Sequence, residues 1–212
     1  METLDAAEVR VLGSLIEKEA TTPEYYPLSL NALVNACNQK SNRDPVVDYD
    51  EDTVYDALTR LREKKLALLH TGSGRVNKYS QRISETLNLG RRELAVLCTL
   101  LLRGPQTLGE IKDRSERMFS FADLAETEAV LDKLAEWPGA SLVRKLSRQA
   151  GQKEARFAHL LSGEPVTETA GPEPHVSAPT SKVAQLEAEL HQLRSEFDEL
   201  KTRFEALEQQ LR

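Results

Sequence analysis

The chain has 212 residues, of which 40% are hydrophobic, 5% aromatic and 29% charged, and its formal net charge is −6. These totals are typical of a helix-rich globular protein with room for two small domains. No apolar run approaches the roughly 18 residues of a membrane span, and the first twenty residues carry acids where a signal peptide carries bases, so we expect a cytoplasmic protein.

The first predicted elements are three helices. Apolar residues at helical spacing predict one helix over residues 4–20 and, after a proline-containing break, a second over residues 28–37. A third helix is predicted to begin after Asp50, whose carboxylate can cap its amino end. Its buried face would consist of Val54, Ala57, Leu58 and Leu61.

A β-hairpin is predicted to follow the third helix. Residues 66–71 and 76–79 are predicted strands, and Gly72-Ser73-Gly74 between them suits a tight turn. Three helices followed by a hairpin are the elements of a winged helix-turn-helix. We therefore predict a first winged-helix domain over residues 1–88.

The connection between the second and third helices, NACNQKSNRDP, is unusually polar for a structural turn. Its side chains could reach the bases or phosphates of a nucleic acid, or a protein partner. They could equally be held by hydrogen bonds within the turn, since Asn and Ser readily bond to nearby backbone. The candidate contact residues are Asn38, Gln39, Lys40, Asn42 and Arg43.

The chain contains an internal repeat. The pattern E-h-x-V-L-x-x-L-h, where h is apolar, begins at Glu8 and again at Glu93, 85 positions later. Residues 57–61 and 130–134 also have similar sequences, 73 positions apart. Together these matches indicate two copies of one supersecondary unit. The second copy, residues 89–163, is predicted to contain helices 91–103, 107–118 and 122–137 and hairpin strands 141–148 and 154–160. The predicted fold class is mainly α with small β-hairpins (α+β), as tandem winged helices.

Four segments make a more specific resemblance. They are TTPEYYPLSLNALVNACNQKSNRDPV, TGSGRVNKY, LLLRGPQTLGEI and LLSGE, and together they fall within residues 1–164. In these segments the chain resembles the YceH family of bacterial proteins. The resemblance implies a tandem winged-helix fold, but it implies no particular activity.

The carboxyl-terminal part reads differently from the two repeats. Residues 164–181 are rich in Pro, Thr, Ser and Glu, which predicts a disordered linker. Over residues 182–212, apolar residues recur at alternating spacings of three and four, which predicts a coiled-coil helix that forms a parallel homodimer. The alternative is an amphipathic helix that folds back on the domains. The predicted dimerisation residues are Leu186, Leu190, Leu193, Phe197, Leu200, Phe204 and Leu207.

No motif of catalysis or cofactor binding is recognisable. The four histidines do not pair with a cysteine at metal-ligand spacing, and the sequence contains no phosphate-binding glycine motif or nucleophile elbow. The two cysteines, Cys37 and Cys98, lie among apolar helix residues and are expected to be buried, reduced thiols. We therefore predict a non-enzymatic protein without a cofactor.

Charge is distributed unevenly over these segments. Residues 1–88 contain 11 Lys and Arg against 14 Asp and Glu, residues 89–163 contain 12 against 10, and residues 164–212 contain 5 against 10. No segment has the strong positive balance of a protein that depends on phosphate contacts. The predicted outward face of the third helix is also acidic. Basic residues concentrate in the two hairpins instead, at Arg75, Lys78, Arg144, Lys145, Arg148, Lys153 and Arg156.

Two hypotheses for the function follow. The fold favours a DNA-associated regulatory protein that contacts double-stranded DNA through its wings and the 38–43 loop. The surface charge favours a protein-interaction scaffold, resembling the bacterial segregation and condensation protein B in its tandem winged helices and acidic balance. From the sequence we expect the first, with the second as its alternative.

Overall fold

A computed structural model of the chain describes residues 2–71, 76–148 and 154–164. The helices are α1 (Ala6–Thr21), α2 (Leu30–Cys37), α3 (Glu51–Glu63), α4 (Ile83–Thr86), α5 (Arg91–Arg103), α6 (Leu108–Ser115) and α7 (Leu124–Ala135). The strands are β1 (Leu28–Ser29), β2 (Ala67–His70), β3 (Lys78–Gln81), β4 (Gln106–Thr107), β5 (Val143–Lys145) and β6 (Arg156–His159). The predicted turns of both hairpins, the linker from residue 165 onward and the coiled coil lie outside the described residues.

The first repeat has three helices and a three-stranded antiparallel sheet in the order β1-β3-β2. Leu28 and Ser29, predicted to begin the second helix, instead pair with β3 as an edge strand. The helix starts after them because the Ser29 side chain accepts a hydrogen bond from the backbone N–H of Ala32 and so caps its amino end. Helix α3 agrees with the prediction, with Asp50 as its cap and the predicted four residues buried.

The second repeat is built in the same way, with α5, α6 and α7 followed by a sheet in the order β4-β6-β5. Its N-caps occupy equivalent positions, since Thr107 caps α6 as Ser29 caps α2, and Asp123 caps α7 as Asp50 caps α3. Helices α6 and α7 are shorter than predicted because their ends form turns and the β4 edge strand. The α+β class is confirmed.

The two repeats pack against each other through their first helices. Gly13 of α1 and Cys98 of α5 are equivalent positions, 85 residues apart, and the Cys98 thiol donates a 3.3 Å hydrogen bond to the Gly13 carbonyl. A contact between equivalent positions is the arrangement expected at an approximate twofold axis that relates α1 to α5. The buried apolar residues of both repeats form one continuous core.

Buried acids on the first helices form ion pairs with lysines at the carboxyl ends of the third helices. Glu8 on α1 is 1% exposed and accepts from the Lys64 ammonium at 2.7 Å. Its equivalent, Glu93 on α5, accepts from Lys133 on α7 at 2.6 Å. Both cysteines are buried as expected, and burial raises the pKa of the Cys37 thiol to about 11. The two ion pairs and the two buried thiols therefore have structural roles between the packed helices.

Candidate functional site

The 38–43 loop is held by internal hydrogen bonds. The Asn38 side-chain amide donates to the Tyr49 carbonyl at 2.8 Å, and its oxygen accepts from the Tyr49 backbone N–H at 2.9 Å. Gln39 accepts from Lys18 and from Arg43. Asn42 adopts a left-handed backbone conformation (φ 60°), which Asn tolerates better than most residues, and accepts from the Arg103 guanidinium.

Arg43 is buried, so the expectation that it reaches a partner is wrong. Its side chain is fully inaccessible and donates to the Glu17 carboxylate at 2.6 Å and to the Ala36 carbonyl at 2.8 Å. Glu17 also accepts from Arg117 of the second repeat at 2.8 Å. Of the five candidate loop residues, only Lys40 is exposed.

Two opposing effects act on the pKa of the Glu17 carboxylate. Burial raises its pKa, but the hydrogen bond and positive charge of Arg43, with a further contribution from Arg117, hold the pKa of Glu17 below its usual value. The loop also bonds to the second repeat through its backbone, where the Asp44 N–H donates to the Leu102 carbonyl at 2.9 Å. The polar connection between α2 and α3 therefore links the first repeat to the second through hydrogen bonds.

The exposed face of α3 is acidic, as predicted, and it also carries an aromatic ring. Asp52, Asp56 and Glu63 are exposed, and Tyr55 between them leaves 46% of its surface accessible. Tyr55 was not among the residues predicted to contact a partner, although its position on the outward face of the predicted helix could have identified it. Arg62 is the exposed base at the carboxyl end of this helix.

The basic residues of the second hairpin are partly neutralised by neighbouring acids. Arg144 pairs with Glu164, and Arg156 lies 3.1 Å from Glu110. The Lys145 ammonium lies 5.3 Å from the centre of the Phe157 ring and 3.7 Å from Glu128. Lys78 and Arg148 are exposed, whereas Arg75 and Lys153 lie outside the described residues.

The described residues contain no cluster of three or more His, Cys, Asp or Glu side chains that could hold a metal ion. None of the helices that the structure describes combines the length and apolar character needed to cross a bilayer.

Comparison with known proteins identifies the family. A family model described as "Protein of unknown function, DUF480" matches residues 4–152. A UPF0502 protein of Solibacter usitatus is 60% identical over 170 residues, which cover 80% of this chain and 81% of that protein. A UPF0502 protein of Pelobacter propionicus is 63% identical over 161 residues, covering 76% and 73% of the two chains. The names of these relatives assign no activity, and they agree with the resemblance to the YceH family. The chain thus belongs to the DUF480 family of UPF0502 proteins.

Proposed function

We propose that this chain is a non-enzymatic regulatory protein built from two winged helix-turn-helix units, and that it binds another protein through the exposed face of α3. The partner would present a basic segment. The observation that carries the proposal is Tyr55, an aromatic side chain left exposed in the middle of an acidic helix face.

The order and pairing of the elements support the winged-helix assignment. Each repeat has a first helix, a short edge strand, two further helices and a two-stranded hairpin, and the edge strand pairs with the hairpin's second strand. In a winged helix the third helix is the element that usually enters the major groove. That position makes α3 the natural recognition element of the first repeat.

The side chains on the exposed face of α3 favour binding to a protein over insertion into the major groove of DNA. Asp52, Asp56 and Glu63 would repel phosphates at the surface that should approach DNA, whereas they complement a basic peptide. Partly exposed tyrosines are enriched among the residues that dominate protein–protein binding energy. The internal bonding of the 38–43 loop also leaves few of its donors for a nucleic acid.

Binding to DNA is the second candidate, and the second hairpin favours it. Lys145 and Arg148 are exposed there, and residues 89–163 have the only positive net charge of the three segments. Contacts to phosphates through a wing would be independent of sequence and strongly salt-dependent.

We expect full-length protein to capture a partner from native lysate equally well with and without nuclease. Replacing Tyr55 with alanine together with Asp56→Lys should abolish that capture with the melting temperature nearly unchanged, because both side chains are exposed. The control is Asp132→Lys, which makes the same charge change on an exposed position of α7.

Capture that nuclease removes, with salt-dependent duplex binding weakened by Lys145→Glu and Arg148→Glu, would favour DNA instead. Capture unaffected by the Tyr55 and Asp56 changes would exclude the α3 face.

The assembly we propose is a parallel homodimer through residues 182–212. The predicted seam has Leu186, Leu193, Leu200 and Leu207 at every second apolar position, a pattern that suits two-stranded coiled coils. Sedimentation equilibrium of the full chain at tens of micromolar should give a dimer, and Leu193→Pro with Leu200→Pro should give a monomer. A full-length chain that sediments as a monomer would contradict the coiled-coil dimer. The matched changes Ser177→Pro and Thr180→Pro, in the predicted linker, should leave the dimer intact.

A further inference from the structure

A cavity of about 330 Å³ lies between the two repeats. Its walls come from the first half of α1, the segment before α3, the end of α5 and the strand β6. Val9, Val47, Leu101 and Ala158 supply much of an apolar lining. This volume is at the lower end of the roughly 300–1,000 Å³ that pockets for small molecules occupy.

Arg10 brings a buried positive charge to this cavity. The residue is 4% exposed and lines the pocket. One terminal nitrogen donates to the Cys37 carbonyl at 3.1 Å and the other donates to the Pro45 carbonyl. A guanidinium has five N–H donors, so donors remain for a further acceptor. Among the described residues no carboxylate forms an ion pair with Arg10.

A second cavity, of about 430 Å³, occupies the equivalent place on the other side of the approximate twofold. It is lined by Leu94, Ala95 and Ile16, which are the equivalents of Val9, Arg10 and Leu101 at the 85-residue offset. Packing of the repeats accounts for both cavities. It does not account for Arg10, a buried arginine where the second cavity has Ala95. The arginine that lines the second cavity, Arg91, is exposed.

The two cavities also differ at the equivalent positions of strands β3 and β6. Gln81 lines the second cavity, and His159 occupies the equivalent place in the first, two residues after the tyrosine or phenylalanine that pairs with the edge strand. The Gln81 side chain is fully engaged with Glu19 and Ser84. Burial lowers the pKa of His159 to about 4, so its ring is neutral at pH 7 and Arg10 supplies the positive charge.

We propose that the cavity beside Arg10 binds a small organic monocarboxylate, with the carboxylate on the guanidinium and an apolar body between the two repeats. Such a ligand would contact both repeats at once, so its binding would stabilise one arrangement of them. The proposal concerns an effector site, and it stands independently of which macromolecule the α3 face binds.

Size and charge define the class of ligand. An apolar lining excludes a fully polar ligand, because groups without hydrogen-bond partners would lose their hydration. Asp44 and Glu164 also line the cavity, and both are exposed, which places them at its mouth. Their negative charges disfavour an anion with two charges, such as hydrogen phosphate, more than an anion with one charge. A single carboxylate can form two parallel bonds with a guanidinium.

The test uses full-length protein with four probes: sodium benzoate, sodium hexanoate and the two matching neutral amides. Saturation-transfer difference spectra and calorimetry should show saturable binding of the carboxylates, with a dissociation constant on the order of 1 mM or tighter. The amides should bind at least about tenfold more weakly, because they lack the charge that Arg10 pairs with. Inorganic phosphate should bind more weakly than either carboxylate.

Two variants locate the site. Arg10→Gln should weaken carboxylate binding about tenfold or more while leaving the amides unchanged. Because Arg10 is buried and this variant could unfold, Ser162→Trp provides an independent test by blocking the cavity from an exposed lining position. The control is Ser147→Trp, at an exposed position that does not line the cavity.

Several results would overturn the proposal. They are equal binding of amides and carboxylates, phosphate binding as tight as that of the carboxylates, or carboxylate binding that Ser162→Trp leaves unchanged. Absence of saturable binding by every probe would overturn it as well.

Discussion

Replacing Arg43 with methionine should lower the free energy of unfolding by about 3–5 kcal/mol, because it removes the main partner of a buried carboxylate. Arg43 and Glu17 leave 0% and 2% of their side chains exposed, and their closest atoms are 2.6 Å apart. Arg117 would remain as a partner of Glu17, but its side chain is 51% exposed and its charge is correspondingly screened. Chemical denaturation of the two proteins measures the difference.

A double variant separates the ion pair from the packing of its side chains. Glu17→Gln with Arg43→Met should cost less than the sum of the two single changes, because neither buried charge is then left alone. The control is Arg82→Met, which breaks an exposed pair with Glu85 and should cost less than about 1 kcal/mol. Equal losses for Arg43→Met and Arg82→Met would contradict the structural role of the loop.

The ion pair between Glu17 and Arg43 should also make the free energy of unfolding depend on pH. The pKa of Glu17 is lower in the folded than in the unfolded protein, so the unfolded chain binds its proton first as the pH falls. The stabilisation is fully present above the ordinary carboxylate pKa and is lost as the pH falls through the folded value. In Glu17→Gln this part of the acid dependence should disappear.

Replacing Gly13 with valine should also destabilise the protein, although less than Arg43→Met. A Cβ built at Gly13 lies 2.8 Å from Leu102 Cδ2, 2.9 Å from Leu102 Cγ and 3.2 Å from Leu101 Cβ. A new χ1 rotamer could move Leu102 Cγ, but the position of Leu101 Cβ is set by the α5 backbone, so the helices must shift apart to admit the two further methyl groups of valine. We expect a loss of about 1–3 kcal/mol, the usual cost of overpacking a core.

Two alanine variants provide the comparison. Gly109→Ala should raise the melting temperature, since a Cβ there meets no atom within 4 Å and alanine favours helices over glycine by roughly 1 kcal/mol. Gly13→Ala should lower it despite the same gain in helix propensity. If both changes raise the melting temperature, α1 and α5 are not in close contact at Gly13.

Local signals in the sequence predicted most of the elements. Helical periodicity and the Asp50 cap located α3, and the repeat at Glu8 and Glu93 located α5, because such signals act over a few residues. The edge strand at Leu28 and Ser29 was missed because its partners, Tyr79 and Lys78, lie some fifty positions away. A two-residue strand has no periodicity of its own.

The role of the 38–43 loop could not be predicted for a similar reason. Its polar composition fits a contact surface as well as a structural joint, and the difference depends on Glu17, Arg103 and Arg117. Arg117 is 100 positions from the Glu17 that it shares with Arg43. No local pattern in the sequence indicates that two arginines, Arg43 and Arg117, bond to this one acid.

The contact of Gly13 with Cys98 has a consequence for how the protein can vary. In a homodimer of identical subunits, a substitution at one interface position appears twice, so the two halves of the interface cannot specialise separately. Joining the halves in one polypeptide removes that constraint. Equivalent positions of α1 and α5 can then carry different side chains, as Arg10 and Ala95 do. At the centre of the contact, however, both helices still need small side chains.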